Sequence, residues 1–563
     1  MSETPESEHP EHPAVIALRR VPWLDLAAVG AVLWAGLALW PMGDLPGIPP
    51  MDVDMPGWAS LGDVVLSGPD AGEWASAATA FDQGRYEDLD PHRMPTWPLL
   101  VGTLMGWMPD VALAGHFVNH LSMIVTALAV YLLARQGAGR GLALGAAVAV
   151  ACCPPLVESS RRLGSDSLLA AMVPTLMFAA YGAARRWWLA PLAGVVAALC
   201  ASTHYTALAF PLPALILILL AGRGRWWERL ASPLLFLGAG WLTLKGLFSV
   251  FPVPSPSGFS RALAEGISQG SQGTGADTRA DWSDALAIFS EADVLGAVNG
   301  AVSTALQHLV PPWLPWGVAV VLPWLGLVGL VRGRRYVRDI GRGLAVGVPL
   351  LLCLSPLPFL AAAQAPERYS HTLIPVAALL LVRGLALPLG LVDRAVKAKV
   401  PRWPAGVLGL AVGLALAAGL WQAAKPWVKP MPPRTEDVSA WQLGRVIAEN
   451  FPAGGHVACP IREANVLAGR DYCPRTVCPT GTSESAFWFC LGIMNQECEG
   501  EGELPYVSAI KSRGDERSEN RKAMDAWVIE TWGVVGEVHT HDLDAWVVSV
   551  PRGELPAHRG PGQ

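Results

Sequence analysis

The chain has 563 residues, of which 52% are hydrophobic and only 16% charged. A soluble chain carries about 25% charged residues, so the composition excludes an ordinary soluble protein and points to a polytopic membrane protein. The formal net charge of −6 offers no basic surface for nucleic acid.

The first twenty residues open on MSETPESEHPEHP, acidic and Pro-rich with nothing apolar to bury. Residues 1–20 read as a disordered cytoplasmic tail. Arg19 and Arg20 precede an apolar run at 21–40. It is too long for a signal-peptide core and is followed by no small-residue cleavage site, so an uncleaved anchor is expected. Asp25 lies inside this run, close to its inner end.

Apolar runs of about 17–25 residues are the spanning unit. They recur at 111–134, 141–157, 166–184, 189–202, 205–221, 230–250, 311–331, 343–363, 372–392 and 404–422. With 21–40 they predict about eleven transmembrane helices. The stretch 189–221 is too long for one span, and His204–Tyr205 at its middle marks a tight turn. Lys and Arg concentrate in alternate connections: 135–140, 185–188, 222–229, 332–342 and 393–402. Cationic short loops stay in the cytoplasm. The N-terminus is therefore expected inside a bacterial inner membrane, and everything after residue 422 outside. Of the 24 Trp, the pairs at 187–188 and 226–227 stand beside Arg, where helices leave the bilayer.

Three outside segments follow: loops at 41–110 and 251–310, and a soluble region at 425–563. The second loop is Gly-, Ser- and Asp-rich, as mobile lids often are. In the terminal region, VSAWQLGRVIAENF and RKAMDAWVIETWG have helical periods, whereas HVACPI, VVGEVHTH and DAWVVSVP read as strands. A periplasmic α/β domain is expected. Cys152, Cys153, Cys200 and Cys353 lie in or near spans as small hydrophobes. Cys459, Cys473, Cys478, Cys490 and Cys498 cluster in the terminal region. Two disulfides and one leftover thiol, in a pairing that spacing does not fix, fit an oxidising compartment; a zinc site near His456 is the rival reading.

The first outside loop is the most polar part of the membrane region. Asp70 and Glu73 head a segment in which Trp74, Ala77, Ala78 and Phe81 repeat with a helical period, ending at Gly84–Arg85–Tyr86. An amphipathic helix on the membrane surface is predicted, after which DPHRMPTWPLL returns the chain to the bilayer. Ser67, Asp70 and Glu73 also have the spacing of helix caps, so stability alone would place acids there. Asp52 and Asp54 spell a D-x-D without a following helix.

The run Asp70, Trp74, Ala78, Gly84, Tyr86, Pro95, Pro98, Leu99, directly after the first span, resembles the GT-C superfamily of membrane glycosyltransferases. The similarity is to the branch of protein O-mannosyltransferases and aminoarabinose transferases. RRLGSDSLLAAM at 161–172 resembles that family's second outside motif, and ERYSHTLIPVAALLL at 367–381 its late Arg-Tyr span. The resemblance implies transfer of a sugar from a polyprenyl-phosphate donor to a protein, lipid or glycan acceptor at the outer face, beside the membrane lipids. It implies Asp70 as general base or metal ligand, with Arg368 and Tyr369 on the donor phosphate. Arg93, His92 and Arg162 are implied helpers. The second acid often follows the first directly in this family; here Ala71 follows Asp70, and Glu73 is the candidate replacement. Asp166 is either a site residue or part of a helix N-cap with Ser165. His204 either meets a phosphate or forms the turn. No cofactor is specified beyond a divalent metal as the open alternative, and no metal ligand is assigned. A transporter or flippase, and a non-catalytic scaffold, are the rival functions.

Overall fold

The computed structural model describes residues 71–84, 86, 94–108, 111–160, 162–222, 224–251, 372–400, 435–451, 503–511, 519–540 and 543–551, with isolated pieces at 30, within 349–353 and 408–418, and at 456–457 and 471–472. The spans expected at 21–40 and 311–331, the loop at 252–310 and the five terminal cysteines lie outside these residues.

The membrane part begins with two short helices, α1 (Ala71–Asp82) and α2 (Thr96–Met105). Then come α3 (Val111–Ala138), α4 (Arg140–Ala151), α5 (Pro154–Ser160), α6 (Asp166–Arg185), α7 (Ala190–Ala201), α8 (Pro211–Ala221), α9 (Trp226–Leu247) and α10 (Ile374–Lys399). Among the described residues, three stretches are long and apolar enough to cross a membrane singly: Val111–Gln136, Asp166–Arg185 and Trp226–Leu247. At about 1.5 Å per residue, twenty residues match a hydrocarbon core of about 30 Å.

Three expected spans differ from the prediction. The run at 141–157 is bent by 54° between α4 and α5. Pro154 and Pro155 cannot donate backbone hydrogen bonds, so the helix stops at Ala151 and restarts at Pro154. The runs at 189–202 and 205–221 are shorter helices, of 12 residues in α7 and 11 in α8. They are joined through a 3-10 turn at Tyr205–Ala209. The turn at His204–Tyr205 is where the sequence placed it. Helix α2 was not foreseen, because DPHRMPTWPLL was read only as a proline-bent return to the bilayer.

Helix α3 is the hub of the bundle. It packs against α4, α6 and α10 around a core that includes Val130, Tyr131, Leu169, Leu176 and Ile374. Small residues set the closest approaches. A Cβ at Gly145 would lie 2.9 Å from the Gly413 carbonyl oxygen, so these two backbones meet without side chains between them. Gly141 and Gly145 form the small-xxx-small step typical of membrane helix contacts. Gly194 on α7 is pressed against Phe236 and Gly240 of α9 in the same way. The cysteines near the spans, Cys152, Cys153, Cys200 and Cys353, are all buried, and none is in a disulfide. The outer face of α9 presents Leu230, Leu234, Trp241 and Leu242 exposed, as a helix in a lipid solvent does.

The terminal region contains α11 (Thr435–Asn450), two-residue strands β1 (His456–Val457) and β2 (Asp471–Tyr472), β3 (Glu503–Lys511), α12 (Glu519–Trp532), β4 (Val534–His539) and β5 (Leu543–Pro551). Strands β3, β5 and β4 form an antiparallel sheet in that order, with Val507 opposite Val547 and Val538 opposite Ala545. Leu443 and Ile447 of α11, with Phe451 just past its end, recur every four residues and cover Val507, Val538, Ala545 and Val547. Gly536 sits in β4 because a Cβ there would collide with Val446 of α11. Gly533, with φ +78°, ends α12 by donating its N–H to the Ile529 carbonyl at 2.9 Å. The strand β3 escaped the sequence reading: Pro505 argues against a central strand, and β3 is an edge.

Candidate functional site

Helix α1 forms because Trp74, Ala77 and Ala78 recur on one side, and all three are buried. Gly84, with φ +70°, closes it by donating to the Phe81 carbonyl at 3.1 Å. Burial also takes in Ala75 and Ala80, so α1 is clasped by neighbours on more than one side. The clasp is α2. A Cβ at Gly102 would come within 2.7 Å of Phe81 Cδ1 and 2.8 Å of the Ala78 carbonyl. Phe81 also stacks on Phe251, with centroids 5.2 Å apart and planes 11° from parallel, tying α1 to the residue where the second outside loop begins.

The first two residues of α2 form a buried polar joint. Thr96, fully buried, donates its N–H to the Ser202 carbonyl at 3.0 Å and its hydroxyl to the Leu199 carbonyl at 3.0 Å. The Thr96 and Ser202 hydroxyls are 2.7 Å apart. Trp97, also fully buried, donates Nε1–H to Asn119 Oδ1 at 2.8 Å. Its ring meets that of Trp74 edge-on at 5.6 Å. Asn119 in turn donates Nδ2–H to the Arg162 carbonyl at 2.5 Å. The loop after the first span, the 162–166 turn and the break between α7 and α8 therefore converge at one end of the bundle.

Asp70, His92, Arg93, Arg368 and Tyr369 lie outside the described residues. Glu73 is on the first turn of α1, three residues past Asp70 in the sequence. Arg162 pairs with Glu158 one turn earlier on the chain, so its charge is already matched by a carboxylate. Asp166 occupies the first turn of α6. The Ser165 side chain makes no capping hydrogen bond there; its carbonyl accepts from Leu169 N–H at 2.8 Å. His204 caps the 3-10 turn: Nδ1 accepts from Thr206 N–H at 3.3 Å and lies 2.9 Å from Thr206 Oγ1. Arg162, Asp166 and His204 thus stand at the same end of the bundle as Glu73.

Three residues there were missed from the sequence: His116, Asn119 and His120, all buried in the first turns of α3. Their signal was present. Polar residues at i, i+3 and i+4 inside an apolar run define one face, and polar side chains in a span are costly unless used. Among the described residues no three His, Cys, Asp or Glu side chains gather in a way that would hold a metal ion.

With this geometry in place, comparisons add the following. Residues 94–251 match the family model described as dolichyl-phosphate-mannose-protein mannosyltransferase. The fold is similar to that of ArnT from Cupriavidus metallidurans bound to undecaprenyl phosphate, with TM-score 0.55 and 14% identity over 94% of this chain and 98% of that one. The apo state of the same protein gives TM-score 0.52 and 14% identity over 93% and 98%. An Archaeoglobus fulgidus oligosaccharyltransferase tethered to an acceptor peptide aligns at TM-score 0.45 and 13% identity over 96% and 77%. No curated protein matches the chain.

Proposed function

We propose that this chain, whose fold and family match are those of the GT-C membrane glycosyltransferases, moves a sugar from a polyprenyl-phosphate donor to an acceptor at the outer face of a bacterial cytoplasmic membrane. The observation that carries this reading is the family match at 94–251. It spans the very residues, Thr96 to His204, that knit the outside loops into one polar joint. The ArnT relative in this fold binds undecaprenyl phosphate, which supports a lipid-phosphate donor here. The N-terminus is cytoplasmic in this reading, and residues 425–563 form a periplasmic domain held by disulfides.

The donor fixes the physical problem. Its tail stays in the lipid, so the reacting phosphate and sugar sit at the outer boundary, where α1 and α2 lie. Asp70, at the head of α1, takes the proton from an acceptor hydroxyl or amine in an inverting displacement. The acceptor atom attacks the anomeric carbon as the bond to the phosphate oxygen breaks, and the electron pair leaves on the phosphate. Charge that builds there needs a fixed cation; Arg368 supplies a forked guanidinium, with Tyr369 beside it. His92, Arg93, Arg162, Asp166 and His204 surround the donor as secondary contacts. Glu73, one turn into α1, is the second acid. In the alternative role Asp70 binds a divalent metal; transfer measured with and without a chelator separates the two.

The test is transfer of radiolabelled sugar from a polyprenyl-phosphate-sugar to acceptor in membranes containing the chain. Transfer by the wild type and none above background by Asp70→Asn, at equal insertion, is the expected result. A transporter or a scaffold yields no labelled product from either.

A further inference from the structure

We infer that Asn119 is a positioning residue, which locks α2, and through it the α1 helix that contains Glu73, to the 162–166 turn; the inference rests on the glycosyltransferase reading for its functional consequence only. Asn119 is fully buried on α3 and belongs to neither loop. Its two amide ends are used in opposite senses. Oδ1 accepts from Trp97 Nε1–H at 2.8 Å, and Nδ2 donates to the Arg162 carbonyl at 2.5 Å. Turning the amide over would set donor against donor and acceptor against acceptor, so both partners fix one orientation. No aliphatic residue of this size can bridge an indole N–H and a carbonyl together, and serine or threonine is too short.

The surroundings are shaped for the bridge. One turn before Asn119, Gly115 leaves α3 indented. A Cβ there would sit 3.1 Å from Trp97 Cζ2 and would overlap Leu163 Cδ2. The indentation therefore admits the residue that Asn119 receives from and the neighbour of the residue it donates to. Trp97 passes the constraint on through its edge contact with Trp74 on α1, one residue past Glu73. Trp74 also comes close to the 162–166 turn, since a Cβ at Gly164 would lie 3.6 Å from Trp74 Nε1. Arg162 and Asp166 flank Gly164 along the chain. Acid-bearing helix and cation-bearing turn are thus held in register through one amide and two indoles. Catalysis by displacement loses rate steeply when the base and the phosphate contacts shift by an ångström or so, which gives such a lock its value.

Hydrogen–deuterium exchange on the full-length protein in detergent tests the lock without reference to the reaction. Asn119→Leu removes both hydrogen bonds. Exchange at 71–84 and at 162–166 is expected to rise together by roughly tenfold or more, as loss of a buried hydrogen bond implies, with α9 unchanged. Trp97→Phe keeps an aromatic ring against Trp74 but loses the N–H; it is expected to loosen 71–84 and α2 while 162–166 stays protected by the remaining Asn119 bond. A rise in only one segment with Asn119→Leu, in neither, or equally in α9 overturns the inference. In the transfer assay Asn119→Leu is expected to lower kcat by roughly tenfold or more with KM for the donor within about twofold; an unchanged kcat overturns the positioning role. Absence of transfer by the wild type defeats the glycosyltransferase reading and leaves the exchange result to judge the lock.

Discussion

At the scale of single residues, much depends on whether a side chain announces itself. Trp74, Ala77 and Ala78 did, through a period that their burial bears out. His204 was read as a turn residue or a phosphate ligand, and its Nδ1 closes the turn. Asn119 did not announce itself, because an asparagine in an apolar run carries no partner in its sequence neighbourhood; Trp97 and Arg162 reach it only after folding. Arg368 is the residue whose predicted role is most directly measurable. Arg368→Ala is expected to weaken undecaprenyl-phosphate binding by roughly tenfold to a hundredfold, the loss of a charge-assisted pair, checked by competition against labelled donor lipid. In the terminal region His539 lies between Asp544, 3.0 Å from Nδ1, and Glu537, 3.1 Å from Nε2. The hydrogen bonds to Asp544 and then Glu537 raise its pKa above the usual histidine value. A raised folded pKa contributes stability that is complete below the unfolded value, about 6.5, and is lost as pH rises through the folded value. Protection of β4 and β5 amides, corrected for intrinsic exchange, is therefore expected to fall across that window, and His539→Asn to flatten the dependence.

At the scale of elements, close approach decides what the sequence conceals. The bend after Ala151 was legible in Pro154 and Pro155, yet an apolar run counted by length alone masks it. Helix α2 was hidden because Pro95 and Pro98 read only as bends in a returning chain. Pro is tolerated in a helix's first turn, where its missing N–H has no partner to lose, and Pro98 occupies the third position of α2. The Gly145–Gly413 approach joins elements far apart in sequence, and only the fold brings them together. Gly145→Leu is expected to destabilise the protein by about 1–3 kcal/mol through forced separation of the two backbones, read as a lowered melting temperature in detergent. The sheet and α11 depend on Leu443, which is fully buried against it. Leu443→Ala is expected to cost that region about 2–5 kcal/mol, read as increased exchange in α11 and β5. The converse case is β3: its pairing partner β5 was visible as alternating apolar residues, but an edge strand carrying a proline resembles a loop.

At the scale of the whole molecule, composition and Lys/Arg alternation were enough to read a polytopic membrane protein, since the bilayer imposes length and charge rules on every span. The GT-C resemblance read from short motifs agrees with the match at 94–251 and with the ArnT fold. Which helices are broken, and how the start of α2, the 162–166 turn and the break between α7 and α8 meet at Thr96, Trp97 and Asn119, depends on contacts distant in sequence. Motif spacing carries no record of them. The central claim is that the polar end of this bundle is a transfer site and Asp70 its acid–base group. The most direct measurement pairs donor-lipid binding with sugar transfer for the wild type and Asp70→Asn. The account predicts that both bind undecaprenyl phosphate with affinities within about threefold, and that transfer falls by at least about a hundredfold in the variant, as loss of a positioned base does. Transfer by Asp70→Asn at the wild-type rate, with binding intact, would contradict it.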